Sequence, residues 1–313
     1  MKKGRIQLIT PSSIIYSVLA YVANPGNNTV SIIDTETNLM IYNILVRSIP
    51  YKLAITPDGR RIFVTNYGDL TISVIDTIAH AVTATIFTEG DPSGLAITPD
   101  GTRIFVTNED NNTISVIDIA TNTVIATVYV GTTPNEVAIT PDGKCTYVTN
   151  ADSDNVSVIN TNTNTVISTI SVGYKPSGVA ITPDGNHAYV TNKFSDNVSV
   201  INTAINKVIS TIFVGYKPSG IAITPDGNHA YVTNLSSNNI SVINTATNTV
   251  TATVSVGDAP SGIAITPDGT HVYVTNEFSD NVSVINTATN TVTSTIDIGS
   301  NYFPVRILIK NGM

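Results

Sequence analysis

The chain has 313 residues, of which only 12% are charged and 6% aromatic, with no Trp and a single Cys. A formal charge of −8 and a pI near 4.8 exclude the basic footprint that a nucleic-acid partner requires. Abundant Thr, Asn, Val and Ile speak for strands and turns and against helices or disorder, and the lone Cys145 cannot form an internal disulfide, which leaves the compartment open.

In chain order, Lys2, Lys3 and Arg5 precede an apolar run at 14–23 (IIYSVLAYVA), and Val18-Leu19-Ala20 resembles a small-residue cleavage site. Read as a secretory signal, residues 1–20 would be removed and the chain would start on its first repeated motif. Read instead as irregular strands, residues 6–22 lead into the first unit, with Pro11, Ser12, Ser13 and Ser17 interrupting the apolar run. The domain division expected is a lead segment at 1–17 and one domain at 18–313. No stretch is long enough to form a transmembrane helix.

Tyr21-Val22-Ala23-Asn24 returns as Phe63-Val64-Thr65-Asn66 and Phe105-Val106-Thr107-Asn108. It returns again from Tyr147, Tyr189, Tyr231 and Tyr273, each followed by Val-Thr-Asn, and every step is 42 residues. Seven units of that size leave no room for a second domain and mark a stacked or radial repeat. One unit holds four short runs, Val137-Ala138-Ile139-Thr140 and residues 146–149, 155–159 and 166–172, with the length and chemistry of strands. In the last run apolar residues fall on both sides, the pattern of a strand sandwiched between neighbouring sheets.

Thr140-Pro141-Asp142-Gly143 is a turn in which Pro presets φ, Asp bonds back to the backbone and Gly closes the corner; it recurs at Pro57, Pro99, Pro183, Pro225 and Pro267. Residues 160–164, like 76–80 and 244–248, form a polar turn rich in Asx side chains. Four antiparallel strands joined by tight turns, seven times over, predict an all-β, seven-bladed β-propeller. A parallel β-helix would need a shorter repeat, a helical solenoid a 3.6-residue period, and WD40 blades a Trp. Ile307-Leu308-Ile309 aligns with Ile263-Ala264-Ile265, so the C-terminal strand is expected to join the N-terminal blade at 18–46 and close the ring. The competing closure uses Gln7-Leu8-Ile9-Thr10-Pro11.

The tetrapeptides, with Ile-Thr-Pro-Asp-Gly and Ser-Val-Ile-Asn-Thr-Ala-Thr-Asn, resemble the YVTN β-propeller repeat family over residues 18–312. That family is known from archaeal surface-layer proteins and from secreted or periplasmic bacterial proteins, and is related in fold to the haem-d1 domain of nitrite reductase and to propeller lactonases. The resemblance implies a cell-envelope or extracellular binding or structural module. It implies no ligand, because the signature residues are those that build the blade.

Alternating strand direction puts the invariant Pro-Asp-Gly and Asx turns on one end of the propeller and the two variable connections on the other. Loops that differ on a constant frame are where function sits, so the variable end is the expected working face. Most units place Gly before the first strand (Gly94, Gly178, Gly220, Gly262), but Lys52, Glu136 and Arg306 break the rule at the channel mouth, with Asn135 adjoining. Polar groups converging on an axis make a small-ligand pocket, and Glu136→Gly is expected to abolish binding there. The alternative for these residues is a channel-lining ion pair. Tyr174, Lys175, Tyr216 and Lys217 in the inter-blade loops could anchor a sugar or protein partner, or pack between blades. An excess of Asp and Glu on this face could attract cations or simply solubilise it.

Other constellations are weaker. His187, His229 and His271 occupy equivalent positions on different blades and are not expected to share a metal. Asp152-Ser153-Asp154-Asn155 has a calcium-like look but lacks the EF-hand Gly. Cys145 stands where other units have Arg61, Arg103 or His187, a substitution rather than a nucleophile, and no phosphate loop, nucleophile elbow or zinc-protease motif occurs. No metal and no cofactor is expected. The leading reading is a non-enzymatic, monomeric binding or structural module contacting protein or cell-surface glycan. It would be extracellular or in the cell envelope, or cytoplasmic if residues 1–20 are no signal. The alternative is a hydrolase or lactonase-like enzyme with a metal or small ligand at the axis; a haem or electron-transfer partner lacks a ligand set.

Overall fold

Strand chemistry punctuated by tight turns produces, in the computed structural model, 28 strands in seven four-stranded sheets over the described residues, 18–310. In a typical blade, Pro134–Ile139, Cys145–Asn150, Asn155–Asn160 and Thr165–Ser171 run antiparallel in chain order from the axis outwards. The first blade departs from this. Its strands β1 (Leu19–Asn24), β2 (Thr29–Asp34) and β3 (Leu39–Leu45) are completed on the inside by Arg306–Lys310, with Tyr21 opposite Leu308. The C-terminal strand therefore closes the ring as expected; residues 7–11, the competing strand, lie outside the described residues.

The second and third strands of each blade are buried on both faces, and the core lies between blades. One cluster joins Tyr147, Val156, Val158 and Ile170 of the fourth blade to Val179, Val190 and Ile201 of the fifth. The outermost strands differ from the sequence expectation. In Thr165–Ser171 only Ile170 is buried, while Val166 and Ile167 face solvent. The wedge shape of a propeller opens towards its perimeter, so these strands touch neighbouring blades only slightly, and the two-sided apolar pattern reflects β propensity rather than sandwiching.

The repeated tetrapeptide is a set of inter-blade fasteners. Its Thr accepts a bond from its own blade's innermost strand and donates to the next blade's: Thr149 Oγ1 takes Glu136 N–H at 3.0 Å and gives to Ser177 O at 2.8 Å. Its Tyr reaches the Asx turn of the following blade, where Tyr147, Tyr189, Tyr231 and Tyr273 donate to the side-chain oxygens of Asn206, Asn248, Asn290 and Asn38 at 2.7–2.9 Å. Two blades carry Phe63 and Phe105 instead. There Arg61 and Arg103 lie over the ring and bond the carbonyls of Ile119 and Thr161, the positions that Tyr147 and Tyr189 reach at Thr203 and Thr245. Near the axis, inner strands approach so closely that a Cβ on Gly178 would lie 2.4 Å from Ser219 O.

Candidate functional site

Upper rim denotes the end that carries the variable loops. Their acidic residues are largely structural. Asp154 accepts Lys175 N–H at 2.9 Å, Asp196 accepts Lys217 N–H at 2.8 Å, and Asp280 accepts three successive amides from Asn301 to Phe303. Each holds an inter-blade loop in which the residue preceding Pro adopts positive φ, as Lys175 and Lys217 do. Asp152 forms an ion pair with Lys175 and accepts the Thr133 hydroxyl, so the Asp152–Asp154 segment is occupied by loop geometry. Among the described residues no three His, Cys, Asp or Glu side chains group closely enough to hold a metal ion, and the three equivalent histidines lie on separate sheets.

At the centre of the upper rim is a cavity of about 500 Å³. Two rings of equivalent positions line it. One follows the inter-blade Pro and contributes Tyr51, Asn135, Ser177, Ser219 and Ser261; the other follows the tetrapeptide and contributes Glu109, Lys193 and Glu277. Thr133, Asp152, Lys175 and Arg306 complete the polar lining. Below it, a constriction of about 40 Å³ is lined by Lys52, Glu136 and Arg306 among the glycines of the inner strands.

Of the sequence-derived candidates, the structure brings Asn135, Lys175 and Arg306 together in the cavity. Lys52 and Glu136 sit deeper, where Lys52 Nζ lies 2.7 Å from the Glu136 carboxylate across the intervening blade. Glu136 is buried and its second oxygen accepts Val137 N–H, so the pair closes the channel floor. Tyr174, Tyr216 and Lys217 lie outside the cavity; Tyr174 stacks on Phe194 with ring centroids 5.9 Å apart. Sequence reasoning reaches Glu109, Lys193 and Glu277 only as charges of the variable face and misses Tyr51, although those three fall at one repeat-equivalent position that varies as Pro25, Tyr67, Glu109, Ala151, Lys193, Leu235 and Glu277.

Arg306 is the unusual group. It is only 7% exposed, its guanidinium lies 4.9 Å over the Tyr51 ring, and it donates to Tyr51 Oη at 3.1 Å and to the carbonyl of Val305. No described carboxylate lies within the 4.0 Å of an ion pair with it. A guanidinium has five N–H donors, and burying its charge without an anion is costly. The field it creates is felt nearby. Burial, then Arg306 and Lys217, hold the Lys193 ammonium below the usual lysine range. Burial raises the Glu277 carboxyl, while Arg306 and Lys193 pull it back. Glu109 is raised by burial and by the charges of Asp110 and Asp91. The cavity thus offers a buried cation with no anionic partner among the described residues, a softened lysine and a carboxylate shifted towards the range of a general base.

A second depression, of about 550 Å³, lies on the lower rim beside Cys145. Its Asp142 and Asp184 are tied to their own turns, and burial followed by the Asp142 charge pushes the Cys145 thiol up, away from the nucleophilic thiolate.

Comparison with known proteins gives a match to the family described as "Lactonase, 7-bladed beta-propeller" over residues 72–170 and 179–300. No curated protein sequence matches the chain. Among solved structures, Kuenenia stuttgartiensis hydrazine synthase is 25% identical, with a TM-score of 0.76, covering 91% of this chain and 99% of that one. A functionally unknown protein from Desulfotomaculum acetoxidans DSM 771 is 18% identical with a TM-score of 0.83, covering 95% and 100%. Dihydro-heme d1 dehydrogenase NirN in complex with DHE is 14% identical with a TM-score of 0.71, covering 93% and 74%. The last two likenesses are of fold alone.

Proposed function

The chain belongs to the seven-bladed β-propeller lactonase family, and from that premise we propose that the upper-rim cavity binds a small, oxygen-rich anion and opens its lactone ring. The observation that carries this reading is the buried Arg306 guanidinium without an anionic partner at the cavity floor. A carboxylate or phosphate on the ligand supplies the missing charge, and charge-assisted pairing with Arg306 fixes its orientation. Hydrolysis then needs a base for water and a cation near the carbonyl oxygen. The raised Glu109 carboxylate takes the proton as water adds to the lactone carbonyl, and Lys193 steadies the oxyanion. The ring oxygen leaves with that proton, and the product is the open hydroxycarboxylic acid.

The test is proton release from a panel of sugar-acid lactones followed by pH-stat, with calorimetry of the open acids. Glu109→Gln is expected to lower kcat by about 10²–10⁴-fold with the acid still bound, and Arg306→Met to weaken acid binding. No turnover above the spontaneous rate, together with no heat from the acids, would end the reading.

A second reading, a surface or envelope contact module of the YVTN type, draws support from the exposed aromatics of the upper rim, Tyr174, Phe194, Tyr216 and Phe278, and from the near identity of the fifth and sixth units. Glycan-array binding lost on replacing Tyr216 and Phe278 by Ser supports it; an inert array removes it.

A further inference from the structure

Lys52, Glu136 and Arg306 stand on three inner strands of different blades and line one constriction of about 40 Å³ below the cavity. A regular strand sends neighbouring side chains to opposite faces. The ladder between Pro50–Ile55 and Arg61–Asn66 is irregular between Pro50 and Leu53, and Lys52 N–H bonds Thr65 Oγ1 at 2.9 Å. Tyr51 and Lys52 therefore both serve the axis, Tyr51 in the cavity against the Arg306 guanidinium and Lys52 in the constriction. Gly94 is the equivalent residue of the blade between Lys52 and Glu136. A Cβ there would lie 2.4 Å from Asn135 O, so no side chain interposes between the two charges.

The constriction holds two cations and one carboxylate. Glu136 is only 6% exposed, and a buried carboxylate needs a cation beside it. Lys52 Nζ supplies it at 2.7 Å, while the other carboxylate oxygen accepts Val137 N–H. Arg306 donates to Tyr51 Oη and the Val305 carbonyl, which leaves guanidinium N–H groups for a ligand. We propose that Lys52 is a positioning residue for this site: by pairing with Glu136 it holds that carboxylate off the Arg306 guanidinium, so that Arg306 stays open to a ligand anion in the cavity above. This inference rests on the reading of Arg306 as the ligand's anchor. Without Lys52, Arg306 is the remaining cation lining the constriction, and Glu136 turns to it and occupies the donors that a ligand carboxylate uses. Glu136 is then an internal competitor for Arg306, the reverse of the sequence expectation that it binds the ligand itself.

The variants are Lys52→Met and Lys52→Met with Glu136→Gln, read by calorimetry with gluconate and by NMR titration of Lys193. Lys52→Met is expected to raise the gluconate Kd at least about tenfold, the effect of leaving Arg306 accessible for about a tenth of the time or less. Adding Glu136→Gln should restore it, because a neutral amide does not compete for Arg306. The titration needs no ligand. Burial, Arg306 and Lys217 lower the Lys193 ammonium while Glu277 raises it, so Glu136 seated on Arg306 moves Lys193 to higher pH in Lys52→Met and not in the double variant. An unmoved Lys193 in Lys52→Met overturns the proposal, and so does an unchanged Kd where wild type binds. A double variant that stays weak overturns it too, since Lys52 would then touch the ligand directly. If wild type binds no gluconate, the anion-binding reading falls by itself and Lys193 alone decides the role of Lys52. Should Lys52→Met fail to fold, the double variant decides: wild-type Kd and Lys193 titration uphold the proposal, and loss of either ends it.

Discussion

Removing the hydroxyl of Tyr231 tests whether the tetrapeptide tyrosine fastens blades together. Its Oη donates to the Asn290 side-chain oxygen at 2.9 Å, and Tyr231 is about 1% exposed. Tyr231→Phe keeps the ring and its packing but leaves a buried amide oxygen without a partner. A lost bond of this kind costs about 1–2 kcal/mol when the partner stays unsatisfied. The chain contains its own controls. Opposite Phe63 and Phe105, the Asn122 and Asn164 oxygens have no partner among the described residues, so Phe63→Tyr should gain about 1 kcal/mol by giving Asn122 a donor. The first blade shows the converse mismatch: Tyr21 faces a unit with His80 at the Asn position, and neither Tyr21 Oη nor His80 Nδ1 has a partner among the described residues. Urea unfolding of Tyr231→Phe, Asn290→Gly and the double variant forms a cycle in which Gly is chosen because Asn290 has φ of 52°. A coupling near zero, with no gain from Phe63→Tyr, would refute the fastener argument.

Two further predictions concern pH. Burial pushes the Tyr21, Tyr189, Tyr231 and Tyr273 phenols up to about 12 from an ordinary value near 10. A raised folded value means the folded chain holds these protons longer than the unfolded one, so stability is full below about pH 10 and falls as pH climbs towards 12; melting temperature across that window checks it, and Tyr231→Phe should flatten the fall. The Pro-Asp-Gly aspartates, among them Asp58, Asp142 and Asp226, are held below the usual carboxylate range by a Thr hydroxyl two residues earlier and by a following backbone N–H. Their stabilisation is present above about pH 4 and is lost as pH falls through the lowered values. Thermal melts between about pH 5 and 2 should show the decline, and it should be shallower for Asp142→Asn.

The fold was legible because everything that builds a blade is local. Strand runs, Pro-Asp-Gly corners and Asx turns all fall within one 42-residue unit, and repetition confirms the strands and Asx turns seven times and the Pro-Asp-Gly corner six times. Ring closure was legible too, since Ile307-Leu308-Ile309 keeps the pattern of an inner strand despite a small insertion. What tertiary structure alone decided is which equivalent positions meet. Radial geometry separates most of them, as with the three histidines, and lets them converge only at the axis. There Arg306 finds Tyr51 across 255 residues and Lys52 finds Glu136 across 84. The pairing of Arg306 with Tyr51 rather than with a carboxylate, the shifts of Glu109 and Lys193, and the solvent-facing side of β3 depend on distances and burial between blades, and no periodicity within one unit encodes them.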